Sequence, residues 1–157
     1  MKILRTVVML SLALLIAACA SNGPHRVSEP AASIQQLTVD ANGGWQIRLR
    51  LQNYSSIAMR FDSVDFALTA GGVTAGQLVA TPALNIAPES ADVIDVSLRP
   101  SAEARLQIAD ALATGRGLAY TLNGNVVAAP DAGKARTFRI SRESALSPTP
   151  GLPGVLR

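Results

Sequence analysis

The chain has one cysteine, one histidine and few aromatic residues, which make up 4% of its 157 positions. A single thiol excludes a disulfide within the chain. One histidine leaves no His/Cys set for zinc, and no Asp-x-Asp-x-Asp-Gly run supplies the close-set oxygens of a calcium loop. Scarce aromatics weigh against a surface that stacks sugars or single-stranded bases. Phosphate-cradling and dinucleotide-binding glycine patterns are missing too, and the pairs Gly43-Gly44 and Gly71-Gly72 read as turns.

Long apolar runs are also lacking, with one exception near the N-terminus. Lys2 and Arg5 precede Val7 to Ala18, an apolar run broken only by Ser11. About a dozen residues fall short of the roughly 20 that a helix needs to cross a bilayer, so residues 1–18 read as a targeting signal. Ile16-Ala-Ala-Cys19 follows, and it resembles the lipobox of bacterial lipoproteins. That resemblance implies cleavage before Cys19, a diacylglycerol thioether on its sulfur and an acylated amino group. Each buried methylene contributes roughly 0.8 kcal/mol, so several acyl chains on one residue anchor durably where one does not. Ala20-Ser21 in place of an aspartate after the cysteine implies, by the same resemblance, sorting to the outer membrane. The membrane is therefore the first expected partner, through Cys19.

Removal of Lys2 and Arg5 leaves 12 of the 14 Lys and Arg against 11 acids, a formal net charge of +1. The apparent basicity of the whole chain thus belongs largely to its signal. A near-neutral domain with dispersed arginines lacks the footprint of a nucleic-acid binder.

Cys19 to about Ser33 shows no apolar periodicity and reads as a tether. Beyond it the pattern has period two. Trp45, Ile47, Leu49 and Leu51 alternate with Gln46, Arg48, Arg50 and Gln52, the mark of a strand with one buried face. Leu37 and Val39 form a strand before it, joined by the turn Asp40-Ala-Asn-Gly-Gly44. Further strands are read at Val64–Leu68, Val73–Ala80, Ile94–Leu98, Tyr120–Val126 and Phe138–Ile140. About seven strands with turns between them predict a mainly β fold, a single immunoglobulin-like antiparallel β-sandwich spanning residues 34–143. One amphipathic helix is expected before the last strands, over Ser101 to Ala113, with Ser101 as its cap and Gly115 as its stop. Its apolar face is read as Ala102, Leu106, Ala109 and Leu112. Residues 144–157, with Pro148, Pro150 and Pro153, read as an extended or mobile tail, or alternatively as a docking peptide for an envelope protein.

Candidate chemistry is thin. His25 lies in the tether, where nothing rigid orients it, so a nucleophile-base pair is not expected. Asp62 with Asp65 and Asp92 with Asp95 are the paired carboxylates, but residues three apart on a strand point to opposite faces. Trp45 has inward parity and is expected in the core. No catalytic residue, metal ligand, cofactor or small-molecule substrate is identified.

Leu49 to Leu68, containing Asn53-Tyr54-Ser55, then Gly71-Gly72, Gly76 and Leu84-Asn-Ile-Ala-Pro-Glu-Ser-Ala-Asp-Val93, resembles the late embryogenesis abundant type 2 family, or water stress and hypersensitive response domain. Tyr120-Thr-Leu-Asn-Gly-Asn-Val126 is similar to that family's closing Tyr-x-Leu-x-Gly-x-Val strand. The family often has Asn-Pro-Asn where this chain has Asn53-Tyr54-Ser55. The resemblance covers about residues 34 to 141 and implies a β-sandwich with a late helix. It also implies a role in desiccation or water stress, without catalytic residues. The expected function is a non-enzymatic, periplasm-facing, outer-membrane lipoprotein that binds or protects envelope components. An accessory lipoprotein docking an envelope assembly or transport complex stays open beside it.

Overall fold

The computed structural model describes residues 25–131 and 133–157, so the signal segment and Cys19 lie outside the described residues. Among the described residues nine strands and one helix follow in the order β1 (Ala31–Val39), β2 (Trp45–Gln52), β3 (Met59–Ala70), β4 (Val73–Ala80), β5 (Leu84–Ile86), β6 (Ala91–Leu98), α1 (Ala102–Thr114), β7 (Leu118–Pro130), β8 (Arg136–Leu146) and β9 (Val155–Leu156). The seven long strands are those the alternation marks, and β5 and β9 are two short additions. One antiparallel sheet has the order β6-β2-β1-β9, the other β4-β3-β7-β8, with β5 pairing the start of β3.

Both sheets are written by period two. Trp45, Ile47, Leu49 and Leu51 are each at most 1% exposed, and across the ladder they face Leu98, Val96, Ile94 and Asp92. The opposing sheet contributes Phe61, Val64, Phe66 and Leu68 from β3 and Leu122 and Val126 from β7. Full burial of such side chains contributes roughly 1.5–3 kcal/mol each. The sandwich is closed by these two inner faces.

Two bulges interrupt the alternation. In β3 the register with β7 shifts between Phe61 and Ser63. The extra residue resets the parity, so Phe61 and Val64, three apart, both face the core. In β1 the shift between Ile34 and Gln36 does the same for Ile34 and Leu37.

The helix lies where expected, with the Ser101 hydroxyl accepting from Ala104 N–H at 3.1 Å and Gly115 in the left-handed region at φ 68°. Its buried face is different. Ala104, Ile108 and Ala111 point inward, and Leu106 is 70% exposed. Alanine occurs all around this helix, so the leucines do not decide the face. Small residues let α1 lie close to the sheet, and Gln107 packs over Gly71. The helix carries the chain from β6 in one sheet to β7 in the other.

The boundaries read from the sequence also move. Ala31 to Ser33, expected in the tether, already belong to β1, and Pro30 is buried. Residues 144–157 are not a free tail. Ser144 to Leu146 end β8, Ser147 and Arg157 exchange backbone hydrogen bonds at 2.6 and 2.9 Å, and β9 pairs Leu156 with Leu37. The three prolines and two glycines make a tight return, and the sheet-forming signal at its end is only two residues long. Leu156 is fully buried by it. Substituting Leu156→Ala is expected to cost about 2–4 kcal/mol in urea unfolding; a free tail would give a change below about 0.5 kcal/mol.

Candidate functional site

The buried polar residues converge at one end of the sandwich. Asn53 and Ser55, just after β2, are 1% and 0% exposed, although a loop ordinarily runs over the surface. Asn53 resolves this by satisfying its neighbours. Its Nδ2 donates to the carbonyls of Ile57 at 2.9 Å, Ile86 at 3.1 Å and Ala87 at 3.0 Å, while its Oδ1 accepts from Ser55 N–H at 2.8 Å. Its backbone N–H donates to Ser90 at 2.8 Å. Ala87-Pro-Glu-Ser90 forms the facing turn, where Glu89 adopts φ 51° and donates its N–H to the Ser55 carbonyl at 3.1 Å. The asparagine loop and the Pro-x-x-Ser turn are thus two halves of one latch.

The segment before β1 is drawn into the same latch. Ser28 N–H donates to Ser55 Oγ at 3.0 Å, Arg26 N–H donates to Ser56 Oγ at 2.8 Å, and Arg26 carbonyl accepts from Ser56 N–H at 3.0 Å. The segment itself contributes only backbone groups of Arg26 and Ser28 to these three bonds, which leaves no side-chain pattern within it for sequence reading to find. Arg26 also meets Glu89 at 3.5 Å, a pair too exposed to matter much for stability.

The closing strand carries two further devices. The Tyr120 hydroxyl accepts from Ile34 N–H at 3.1 Å, tying β7 to the β1 bulge in the opposite sheet. Gly124 has no room for a Cβ, which would collide with the Asp65 carbonyl. Leu122 and Val126 beside it are core.

At the other end, a cleft of about 720 Å³ lies between the β1–β2 turn and the β6–α1 connection. Arg99 and Arg105 line it with Asp40, Asn42, Gln46 and Ser97. Asp40 is engaged within its own turn, its Oδ1 accepting from Asn42 and Gly44 N–H at 2.8 Å each. The cleft is polar and basic. Neither arginine was marked by the sequence, because they are separated by the start of a helix.

The residues singled out from the sequence do not come together. His25 is exposed at the beginning of the described chain. Asp62 and Asp65 do not point to opposite faces as expected, because the β3 bulge places both on the outer face. There Asp62 pairs with Arg60 at 2.8 Å and Asp65 accepts from Gln77. Asp92 Oδ1 accepts from Val93 N–H at 2.8 Å, and Asp95 lies 3.9 Å from Arg48. Trp45 is fully buried in the core, and its indole N–H has no partner. Among the described residues no three His, Cys, Asp or Glu side chains form a metal-binding group, and no helix is long and apolar enough to cross a membrane.

Substituting Asn53→Ala strips three carbonyls and one N–H of their partner, and is expected to cost about 3 kcal/mol or more in equilibrium urea unfolding. Asp62→Asn and Asp95→Asn, on the outer faces, are expected to change stability by less than about 0.5 kcal/mol. Equal effects at the three positions would show that the latch is not a structural keystone.

The late embryogenesis abundant protein family model matches residues 48–144, more than half of the chain. Among solved structures, a protein of Arabidopsis thaliana is similar at TM-score 0.58 and 14% identity, over 83% of this chain and 89% of that one. A late embryogenesis abundant protein solved in solution is similar at TM-score 0.49 and 11% identity, over 98% of this chain and 85% of that one. No curated protein matches by sequence. Asn53, Ser90, Tyr120 and Gly124, which carry the resemblance, latch the loops and join the sheets, and by the match over residues 48–144 the chain belongs to the late embryogenesis abundant type 2 family.

Proposed function

We infer that this protein is a non-enzymatic lipoprotein of the outer membrane, facing the periplasm, that binds or shields envelope components when water is withdrawn. The observation that carries the stress reading is the family match over residues 48–144. Support for a binding or protective role comes from the state of the polar groups. The carboxylates that could work as acid and base are each held by a separate neighbour, and the cleft at the β1–β2 turn offers two guanidinium groups beside a Ser97 hydroxyl that is already donated to Gln46 at 2.7 Å.

The anchoring reading rests on Cys19 after its apolar run. Seven residue steps separate Cys19 from Arg26, the first residue bonded to the latch, and an extended chain of that length spans about 25 Å at most. Such a tether holds the sandwich close to the bilayer surface. The rival reading, docking of an envelope complex through a sandwich edge or the Pro-rich tail, keeps the edge, while residues 147–157 fold back onto this chain's own sheet.

Two measurements test the proposal. A strain lacking the gene is expected to lose viability under drying and hyperosmotic challenge, with recovery on return of the wild-type chain; unchanged survival under both would overturn the stress role. Cys19→Ala is expected to move the protein from the membrane to the soluble fraction with its thermal unfolding unchanged. An unaltered distribution would sink the lipid anchor while leaving the stress role standing.

A further inference from the structure

Each edge strand of a sheet offers a row of unpaired N–H and C=O groups, a template for another strand. The edges here differ in how they are protected. β9 is two residues long, and β4 is broken by a register shift opposite Leu68 and Thr69 and by Gly76 at φ 153°. β6 carries Asp92 and Asp95 and no base, and it lies against β4. β8 carries Arg136, Arg139, Arg142 and Glu143 and packs against β1 in the other sheet, as β6 does against β4, but its length and ladder set it apart. Its 11 residues pair β7 without a break, from Arg136↔Ala128 to Leu146↔Leu118, and no strand pairs its other side. Backbone bonds to the C-terminal return begin only at Ser147.

The side chains of β8 specify what fits there. Thr137, Arg139, Ser141, Glu143 and Ala145 point outward and all are exposed. Antiparallel pairing with a second copy must set outward residues against outward residues, so the register moves in whole-residue shifts of the two-fold axis. An axis at Arg139 sets that arginine against itself and Arg136 against Arg142, and an axis at Arg142 sets Arg142 against itself. These registers are repulsive. An axis at Ser141 places Arg139 opposite Glu143 of the second copy, and by symmetry does so twice. It also opposes Arg136 with Leu146 and Arg142 with Ile140, so no arginine meets another. Ser141 is the middle residue of the strand, and this register alone overlaps all of β8.

We propose that β8 is a homodimerisation edge, on which a second copy of this chain adds its own β8 antiparallel about Ser141 to make one continuous sheet across both molecules. An axis at Ile140 also keeps the arginines apart, with Arg139 opposite Ser141, but only the axis at Ser141 sets Arg139 against Glu143, and that pair selects the register.

The test uses the full chain in its own membrane, with cysteines placed along β8. Ser141→Cys lies on the two-fold axis and is expected to form a disulfide-linked dimer on mild oxidation. Thr137→Cys faces Ala145, its two copies lie about 26 Å apart at 3.3 Å per residue, and it is expected to stay monomeric. Arg139→Glu in the Ser141→Cys background turns two attractive cross-strand pairs into two repulsive ones and should lower the dimer fraction about tenfold. Adding Glu143→Arg should restore it. Absence of the Ser141→Cys dimer, equal crosslinking at Thr137→Cys, or indifference to the charge reversal would each overturn the proposal. These positions are exposed, and matched thermal unfolding of the variants confirms that folding is not what changed.

Discussion

The side-chain amide of Asn53 holds three stretches of chain that share no sheet ladder at that point: the end of β2, the loop to β3 and the turn before β6. Around it, Ser55 reaches back to the segment that leads into β1. Burying an amide without partners costs several kcal/mol, whereas a fully bonded one makes the local arrangement specific. This explains why a loop can be as buried as a strand. It also explains how Tyr54 and Ser55 replace the family's more usual Pro-Asn: Ser55 supplies an N–H to Asn53 and a hydroxyl to Ser28, and Tyr54 projects outward.

The other family positions divide the same labour between the sheets. Tyr120 caps a β1 N–H that the bulge would otherwise leave unpaired in the interior. Gly124 permits the closest backbone approach of β7 to β3, and Gly76 lets Leu98 lie against the β4 backbone. These residues carry the resemblance to the family, and their tasks in this chain are architectural. The pattern therefore describes how the sandwich is held, and the features particular to this chain lie elsewhere, in the basic cleft and along β8.

The seven long strands were legible because each buries one face, which forces alternation over stretches of three to eight residues. Features that do not depend on such a face were not. The bulge at Asp62 is one inserted residue, invisible to a period count, and it reversed the expected facing of Asp62 and Asp65. The helix was found by its cap and stop, but its buried face was misread because alanine satisfies any face and Leu106 is outside. The segments 25–30 and 147–157 look like linkers because no run of alternating side chains holds them: backbone groups and single anchors do, Ser55 and Ser56 at one end and Leu156 at the other. The cleft joins Asp40 to Arg105 across sixty-odd residues, a proximity that no local spacing announces.

The latch also determines how the molecule carries force. Tension applied to the chain before His25 cannot reach the core directly, since Arg26 and Ser28 are bonded to the Ser55–Ser56 loop first. Beyond that loop the pull enters β1 along its length, and β1 is laddered to β2 from Ala31 to Val39. A load parallel to paired strands stresses all their hydrogen bonds together, where a perpendicular load would open them one at a time. A pull on the chain ahead of His25 would therefore have to break the bonds of Arg26 and Ser28 before it strained the β1–β2 ladder.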